Sequence, residues 1–171
     1  MNKVTSKKPE TPMRILKTDS CNTLSGKPNI TYHIGCTPDS KIHFQISSNS
    51  GGGFFSSEWV SWDAIQQALK QWPKDTPITS LFLYPLFKGK SVNTPSFLLA
   101  ALKHLNLVQP IKGKKRCHEL LDFKPFNDEM KAMMSTKVAA NVAKKKAANK
   151  KSSASKKKTT TSRHKKKRIS T

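Results

Sequence analysis

The sequence predicts a mixed α/β (α+β) domain over residues 28–126, between disordered segments at 1–27 and 127–171. Two observations predict this architecture. Apolar residues are concentrated between residues 28 and 126, where they recur with the period of strands and then of helices. The two ends of the chain are polar and show no such period. A chain of 171 residues also suits a single domain.

A β-hairpin is predicted at the start of the domain. Asn29–Cys36 and Lys41–Ile46 each alternate apolar and polar residues, and Thr37-Pro38-Asp39-Ser40 between them has the composition of a turn. The apolar residues of the shared face are Ile30, Tyr32, Ile34, Ile42, Phe44 and Ile46. Two strands with one apolar face need other elements to cover that face.

A first helix is predicted from Ser61 to about Trp72. Ser61 is a favourable N-cap residue, and Pro73 cannot continue the helix. The apolar stripe of this helix consists of Trp62, Ile65, Leu69 and Trp72. Helical spacing therefore favours a core position for Trp62 and Trp72 over base stacking, whereas Phe54, Phe55 and Trp59 remain open between the two roles.

The second apolar run, Ile78–Phe87, predicts a helix that begins after Thr76-Pro77 and is kinked or ended early by Pro85. An extended conformation of Ile78–Tyr84 is the alternative, because the run is short and aromatic.

A third helix is predicted from about Thr94 to Leu105, and two further strands follow it. Leu107-Val108 resumes extended chain, Gly113 with its basic neighbours suggests a tight turn, and Arg116–Leu121 returns as a strand.

Charge is distributed very unevenly along the chain. It has 32 Lys plus Arg against 10 Asp plus Glu, a net charge of +22. Residues 131–171 hold fifteen of the basic side chains, no acidic one and no aromatic one, which predicts disorder until a polyanion binds. Nucleic acid is the favoured partner because every neutralised phosphate releases a counterion. A membrane is disfavoured, because the segment has neither an apolar face to insert nor a lipidation signal.

Three cysteines, Cys21, Cys36 and Cys117, lie far apart without a CxxC pair or zinc-like spacing. This pattern predicts neither a disulfide framework nor a metal site, and it suits a reducing compartment. The N-terminus has no apolar signal region, and no stretch has membrane-spanning length. We therefore expect that the protein is not secreted. It should be cytoplasmic or nucleoid-associated if the source is a bacterium, and nuclear if the source is a eukaryote.

The segment 60–122 resembles proteins of the winged helix-turn-helix superfamily. Its predicted elements follow the order helix, turn, helix, strand, basic turn and strand. The most similar segment is Ser91–Val108 (SVNTPSFLLAALKHLNLV), with its leucines three and four apart and its Leu-Asn-Leu-Val exit. Asn106 stands where such proteins usually have glycine, and asparagine also adopts the left-handed conformation that ends a helix. The KGKKR sequence that follows corresponds to the tip of the wing. The resemblance implies a winged helix-turn-helix core, preceded here by a β-hairpin outside the minimal fold.

The resemblance also implies the residues that contact DNA. The third helix of such folds enters the major groove and the wing reaches the backbone or the minor groove. The corresponding residues here are Asn93, Ser96 and Lys103 on the helix and Lys112, Lys114, Lys115 and Arg116 on the wing. The helix lacks Arg and Gln, and we expect it to present Leu99 and Ala100 outward, so base-specific reading should be weak. An apolar third helix could instead bind a protein partner.

The C-terminal segment is similar in composition to the tails of linker histones and of bacterial lysine-rich histone-like proteins. This similarity implies non-specific neutralisation of phosphates, and a nuclear import signal if the source is a eukaryote. The side chains predicted to contact DNA are Lys144, Lys145, Lys146, Lys156, Lys157, Lys158, Lys165, Lys166, Lys167 and Arg168.

Enzymatic sites find little support in the sequence. Gly89-Lys90-Ser91 lacks the earlier glycine of a phosphate-binding loop, because Tyr84 occupies that position. Cys36 with His33 or His43 could serve as nucleophile and base, but both histidines are expected on the solvent side of the hairpin. We therefore predict no enzyme activity, no cofactor and no metal.

Together these patterns predict a DNA-binding protein with weak sequence specificity, either nucleoid- or chromatin-associated or a regulator of transcription. Two alternatives stay open. The domain could be a protein-interaction module that its tail tethers to nucleic acid. It could also bind RNA, because both polymers present phosphate.

Overall fold

The computed structural model describes residues 12–114 and 116–148, with side chains up to residue 136. The strands are β1 (Arg14–Asn22), β2 (Asn29–Cys36), β3 (Ile42–Asn49), β4 (Val60–Ser61), β5 (Val108–Pro110) and β6 (His118–Leu120). The helices are α1 (Trp62–Gln71), a 3-10 helix (Ser80–Phe87), α2 (Thr94–His104) and α3 (Lys124–Ala148). The elements from β1 into α3 belong to one compact unit, which ends at Lys137. The mixed α/β composition predicted from the sequence is confirmed.

The first four strands form an antiparallel sheet in the order β1-β2-β3-β4. The predicted hairpin is its centre, with Tyr32 opposite Ile46 and Ile34 opposite Phe44. All four of these side chains are buried, as is Ile30, so the predicted apolar face is confirmed.

Strand β1 corrects the prediction of a disordered arm at residues 1–27. Residues 14–22 pair with the whole length of β2, with a bulge between Ile15 and Lys17. The strand has little apolar alternation because it lies at the edge of the sheet and buries mainly Leu16. Its polar residues pair across the strands, with Thr18 Oγ1 2.9 Å from His33 Nδ1 and Ser20 Oγ 3.0 Å from Thr31 Oγ1.

Helix α1 begins and ends where the sequence predicts. The Ser61 hydroxyl accepts a hydrogen bond from the Ala64 N–H at 3.1 Å, and Pro73 follows the last turn. The second apolar run divides into two parts. Ile78 forms an antiparallel bridge with His118, and Ser80–Phe87 is a 3-10 helix that contains Pro85. The extended alternative therefore holds for Ile78 alone, and the helical prediction holds for Ser80–Phe87, which continues past Pro85 as a 3-10 helix.

Helix α2 and the β5–β6 hairpin also follow the prediction. Asn106, after α2, has φ of 55°, the left-handed conformation expected of it. The turn between β5 and β6, residues 111–117, is called the basic turn below. It contains Gly113 at φ of 79°, and the Ile111 N–H donates to the Cys117 carbonyl at 2.9 Å. Because Ile78 pairs with β6 as well, His118 lies between two extended neighbours.

Helix α3 corrects the boundary of the predicted disordered tail. The tail was expected from residue 127, but helix runs from Lys124 to Ala148. The physical reason is an apolar stripe at helical spacing, in which Phe126 and Met130 are buried and Met133 and Met134 are half-buried against the core. The Phe126 ring lies 5.8 Å from that of Phe44, centroid to centroid. The sequence interpretation assigned residues 127–171 to one lysine-rich tail and missed this stripe at its start.

Candidate nucleic-acid interface

Helix α2 is a central core helix. Leu98, Leu99, Ala100, Ala101 and Leu102 are each at most 2 % exposed. The helix is covered by β1 and β3 of the sheet, and it also contacts the 3-10 helix and β5. The prediction that Leu99 and Ala100 face outward is therefore wrong, because the N-terminal sheet adds a layer over the helix. A protein partner cannot dock on these two residues while the domain is folded.

Few predicted contact residues of α2 remain accessible. Ser96 is half-buried and Lys103 is exposed. Asn93 is half-buried, and its side-chain Nδ2 donates to the Phe54 carbonyl at 2.9 Å. The Ser91 hydroxyl donates to the same carbonyl at 2.7 Å. Asn93 therefore holds the loop before β4 against the start of α2, which is a structural role.

Lys103 lies near both the first sheet and the β5–β6 hairpin. Burial and the Asp19 carboxylate raise the pKa of the Cys21 thiol to about 11, and the charge of Lys103 opposes this rise. The same charge helps to lower the pKa of His118, whose main cause is burial of the imidazole. The charge of Lys103 thus acts on a residue of β1 and on a residue of β6.

The basic turn presents its charge to solvent. Lys112, Lys114 and Arg116 are exposed, and none of them forms an ion pair with another described residue. Hydrogen bonds from the Lys114 N–H to the Ile111 carbonyl and from the Cys117 N–H to the Lys114 carbonyl, at 3.0 and 3.1 Å, fix its backbone. Lys115 lies outside the described residues. The turn therefore offers several cations on a defined backbone.

These cations belong to a longer acid-free segment. Between Asp75 and Glu119 the chain contains seven basic residues and no acidic one, whereas the remainder of residues 1–130 contains ten of each. The 3-10 helix, α2 and the basic turn all lie in this segment. Lys90 is the member that forms an ion pair within the described chain, with Glu58. The net charge of residues 1–130 thus arises from this segment, and four of its seven cations belong to the basic turn.

A groove of about 1000 Å³ lies beside Arg116. It brings together three of the predicted contact residues, Asn93, Ser96 and Arg116, with side chains that the sequence interpretation missed. The missed residues are Leu81, Tyr84 and Phe97. Leu81 and Tyr84 are three residues apart, the period of a 3-10 helix, so they share its solvent-facing side. The spacing of Leu81 and Tyr84 predicts a shared exposed face only if the segment around Pro85 is taken as a 3-10 helix.

A second, smaller cavity of about 550 Å³ lies at the base of the basic turn, between Trp72, Ile78, Ile111 and His118. His118 is 2 % exposed, and its Nδ1 has no hydrogen-bond partner among the described residues. Burial lowers the pKa of this imidazole. His118 is therefore held neutral in the pairing of β6 with Ile78.

The predicted contacts of the C-terminal segment lie beyond the described side chains. Lys144, Lys145 and Lys146 fall within the range of α3, where the structure describes backbone alone. The later residues lie outside the described chain: Lys156, Lys157, Lys158, Lys165, Lys166, Lys167 and Arg168.

Within residues 12–114 and 116–148, no helix has the length and apolar character needed to cross a membrane. Nor does this part of the chain contain three or more His, Cys, Asp or Glu side chains grouped to hold a metal. Comparison of the chain with protein-family models, with curated proteins and with solved structures finds no match.

Proposed function

We propose that this protein binds DNA through the phosphate backbone with weak sequence preference, using the basic turn as a wing and its lysine-rich C-terminal segment. The observation that carries the proposal is the exposed charge of Lys112, Lys114 and Arg116, which no described residue pairs, within a segment that has no acidic residue. Phosphate contacts of this kind supply affinity through counterion release and carry no sequence information.

The order and pairing of the elements support a winged-helix arrangement of residues 62–120. Helix α1, the single bridged residue Ile78, the 3-10 helix, α2 and the β5–β6 hairpin follow one another in the order expected of that fold. Strand β6 lies between Ile78 and β5, so the hairpin extends from a small three-part sheet as a wing does. The short 3-10 helix takes the position of the second helix.

The burial of α2 determines how such a wing would be used. A recognition helix needs exposed side chains that reach base edges, and α2 keeps Lys103 and His104 exposed, both in its last turn. We therefore propose that the wing and the C-terminal segment bind phosphates while α2 stays in the core. Weak sequence preference follows. RNA presents the same phosphates and remains the second polymer to test.

Charge reversal in the basic turn tests this proposal. We expect Lys114→Glu in the full-length protein to weaken binding to a short duplex irrespective of its sequence. The slope of log K against log salt should fall in magnitude by at least about 1, because one phosphate contact is lost. Fluorescence anisotropy titrations at several salt concentrations measure both quantities.

Lys41→Glu is the matched control. Lys41 is also exposed, but it lies in the β2–β3 turn, where it forms an ion pair with Asp39 at 3.1 Å. Lys41 lies beyond the Cys36 end of β2. Arg116 lines a groove with Pro28 and Asn49, which lie at the Asn29 end of that strand. The length of β2 separates the two ends by roughly 23 Å at 3.3 Å per residue. Equal loss of affinity in Lys41→Glu and Lys114→Glu would refute a wing-specific contact, and failure of the full-length protein to bind any duplex would refute the function.

A further inference from the structure

The groove beside Arg116 has walls from four parts of the domain. The β1–β2 turn and the loop after β3 form one side, and the 3-10 helix and the first turn of α2 form the other. Its volume of about 1000 Å³ is at the upper end of the range of roughly 300–1,000 Å³ for small-ligand sites. It is therefore spacious enough for a nucleotide, with its base, sugar and phosphate.

The groove combines aromatic surface with positive charge. Tyr84 and Phe97 supply the aromatic surface, and Arg116 of the basic turn supplies the charge. No carboxylate is among the described residues that line the groove. Leu81 and Tyr84 are 58 % and 42 % exposed, so the groove carries apolar surface that no described side chain covers. An aromatic and apolar surface beside a cation suits a planar base that is attached to a phosphate.

The two asparagine side chains of the groove are engaged with the backbone. Asn49 donates to the Gly53 carbonyl at 3.1 Å and accepts from the Gly51 N–H at 3.0 Å. The Asn93 amide donates to Phe54, as described above. These two amides are therefore not free to read the edge of a base, whereas Tyr84 is exposed and can stack on one. Stacking of this type is tolerant of sequence because every base has a π-face.

Glycine at position 53 lets the loop after β3 lie close to Asn49 and to the start of α2. A Cβ atom there would lie 3.2 Å from Asn49 Nδ2 and 4.0 Å from Phe97 Cζ. A larger side chain would extend between the loop and α2, where Phe97 lines the groove.

We propose that this groove binds the unpaired bases of single-stranded DNA next to a duplex, with the bases stacked on Tyr84 and Phe97 and the backbone phosphate at Arg116. The inference rests on the proposed function, because the basic turn that holds the duplex also supplies Arg116. It adds a preferred substrate: a duplex with a single-stranded overhang, in place of a uniform duplex.

The test compares a blunt duplex with the same duplex carrying a short single-stranded overhang, using the full-length protein. We expect the overhang to strengthen binding on the order of tenfold, the gain from stacking of about one base. A 2-aminopurine base in the overhang should lose fluorescence on binding, since stacking on an aromatic ring quenches it.

Three variants assign the effect to the groove. Tyr84→Ala should abolish the preference for the overhang and the quenching. Tyr84→Phe should retain both, because the ring remains and only the 3.4 Å hydrogen bond to the Val92 carbonyl is lost. Phe54→Ala is the matched control, an aromatic residue that is 84 % exposed and does not line the groove.

The possible outcomes separate the two proposals. Equal, measurable binding of blunt and overhang duplexes would overturn the groove inference and leave the phosphate-binding function intact. An overhang preference that survives Tyr84→Ala, or is lost equally in Phe54→Ala, would also overturn the inference. Absence of binding to both duplexes would overturn the function itself.

Discussion

Helix α2 and the basic turn were both predicted to contact DNA, and the structure places them in opposite environments. The residues of α2 from Leu98 to Leu102 are buried, whereas Lys112, Lys114 and Arg116 on the turn are exposed and unpaired among the described residues. Both elements begin and end close to where their sequences predict. The difference is therefore one of packing, and it decides which element can reach a partner.

The cause of the difference is the N-terminal sheet. The winged-helix arrangement that we propose would by itself leave one face of the third helix free. Here β1 and β3 pack against α2 in addition to the 3-10 helix and β5. The basic turn stays exposed beside this added layer, and the strands on either side of the turn bury Val108 and His118. A motif predicts the local element, and the surrounding layers determine its exposure.

The largest expected effect is on α2. Leu99→Asp places an unpaired carboxylate at a fully buried position, and we expect a loss of more than about 4 kcal/mol in the free energy of unfolding. Urea denaturation followed by tryptophan fluorescence should show a lost or strongly weakened cooperative transition. Lys112→Asp on the basic turn is the control, and it should change stability by less than about 0.5 kcal/mol. A stable Leu99→Asp variant would mean that this face of α2 is exposed after all.

A milder change sharpens the same comparison. Ala100 is 2 % exposed, so Ala100→Leu should overpack the core and lower the free energy of unfolding by about 1–3 kcal/mol. On an exposed helical face the same substitution would be nearly neutral, since Ala and Leu both favour helix. Chemical denaturation at constant pH measures the change. Unaltered stability would contradict tight packing around α2.

The smallest expected effect concerns His118, at the base of the basic turn. Burial lowers the pKa of its imidazole below the ordinary value of 6.5, so the folded protein resists protonation while the unfolded chain accepts a proton. Stability should therefore be highest above pH 6.5 and fall as the pH is lowered through 6.5 toward the folded-state pKa.

Urea denaturation between pH 5 and pH 8 measures this dependence, and His118→Asn supplies the background from all other groups. We expect the wild type to lose more stability on acidification than the variant does. Parallel pH profiles for the two proteins would show that the proton affinity of His118 is the same in the folded and unfolded states.

Much of the fold could be predicted because local chemistry determines it. Period-two alternation defined the β2–β3 hairpin, Ser61 and Pro73 bounded α1, and Asn106 ended α2 in the left-handed conformation. These signals act within a few residues, so a single sequence contains them. The exposed charge of the basic turn was also predictable, because three lysines and one arginine surround one glycine.

The remainder depends on contacts between distant residues. Strand β1 has few apolar residues of its own and is held by its pairing with β2. The apolar stripe of α3 begins only two residues after that helix starts and merges into a lysine-rich sequence. The groove combines side chains from the β1–β2 turn, the 3-10 helix, α2 and the basic turn, and no local pattern brings these together.

The position of α2 on the sheet also has a consequence for protein synthesis. Strands β1, β2 and β3 pair with their sequence neighbours and are complete once Asn49 has been made, but α2 ends 55 residues later, at His104. At roughly 5–20 residues per second, the ribosome needs about 3–11 s to add those residues. During that interval the nascent sheet lacks α2, so Tyr32, whose hydroxyl lies 2.9 Å from His104 Nδ1 in the folded domain, is uncovered. We therefore expect the nascent chain to depend most on chaperones between the synthesis of β3 and that of α2.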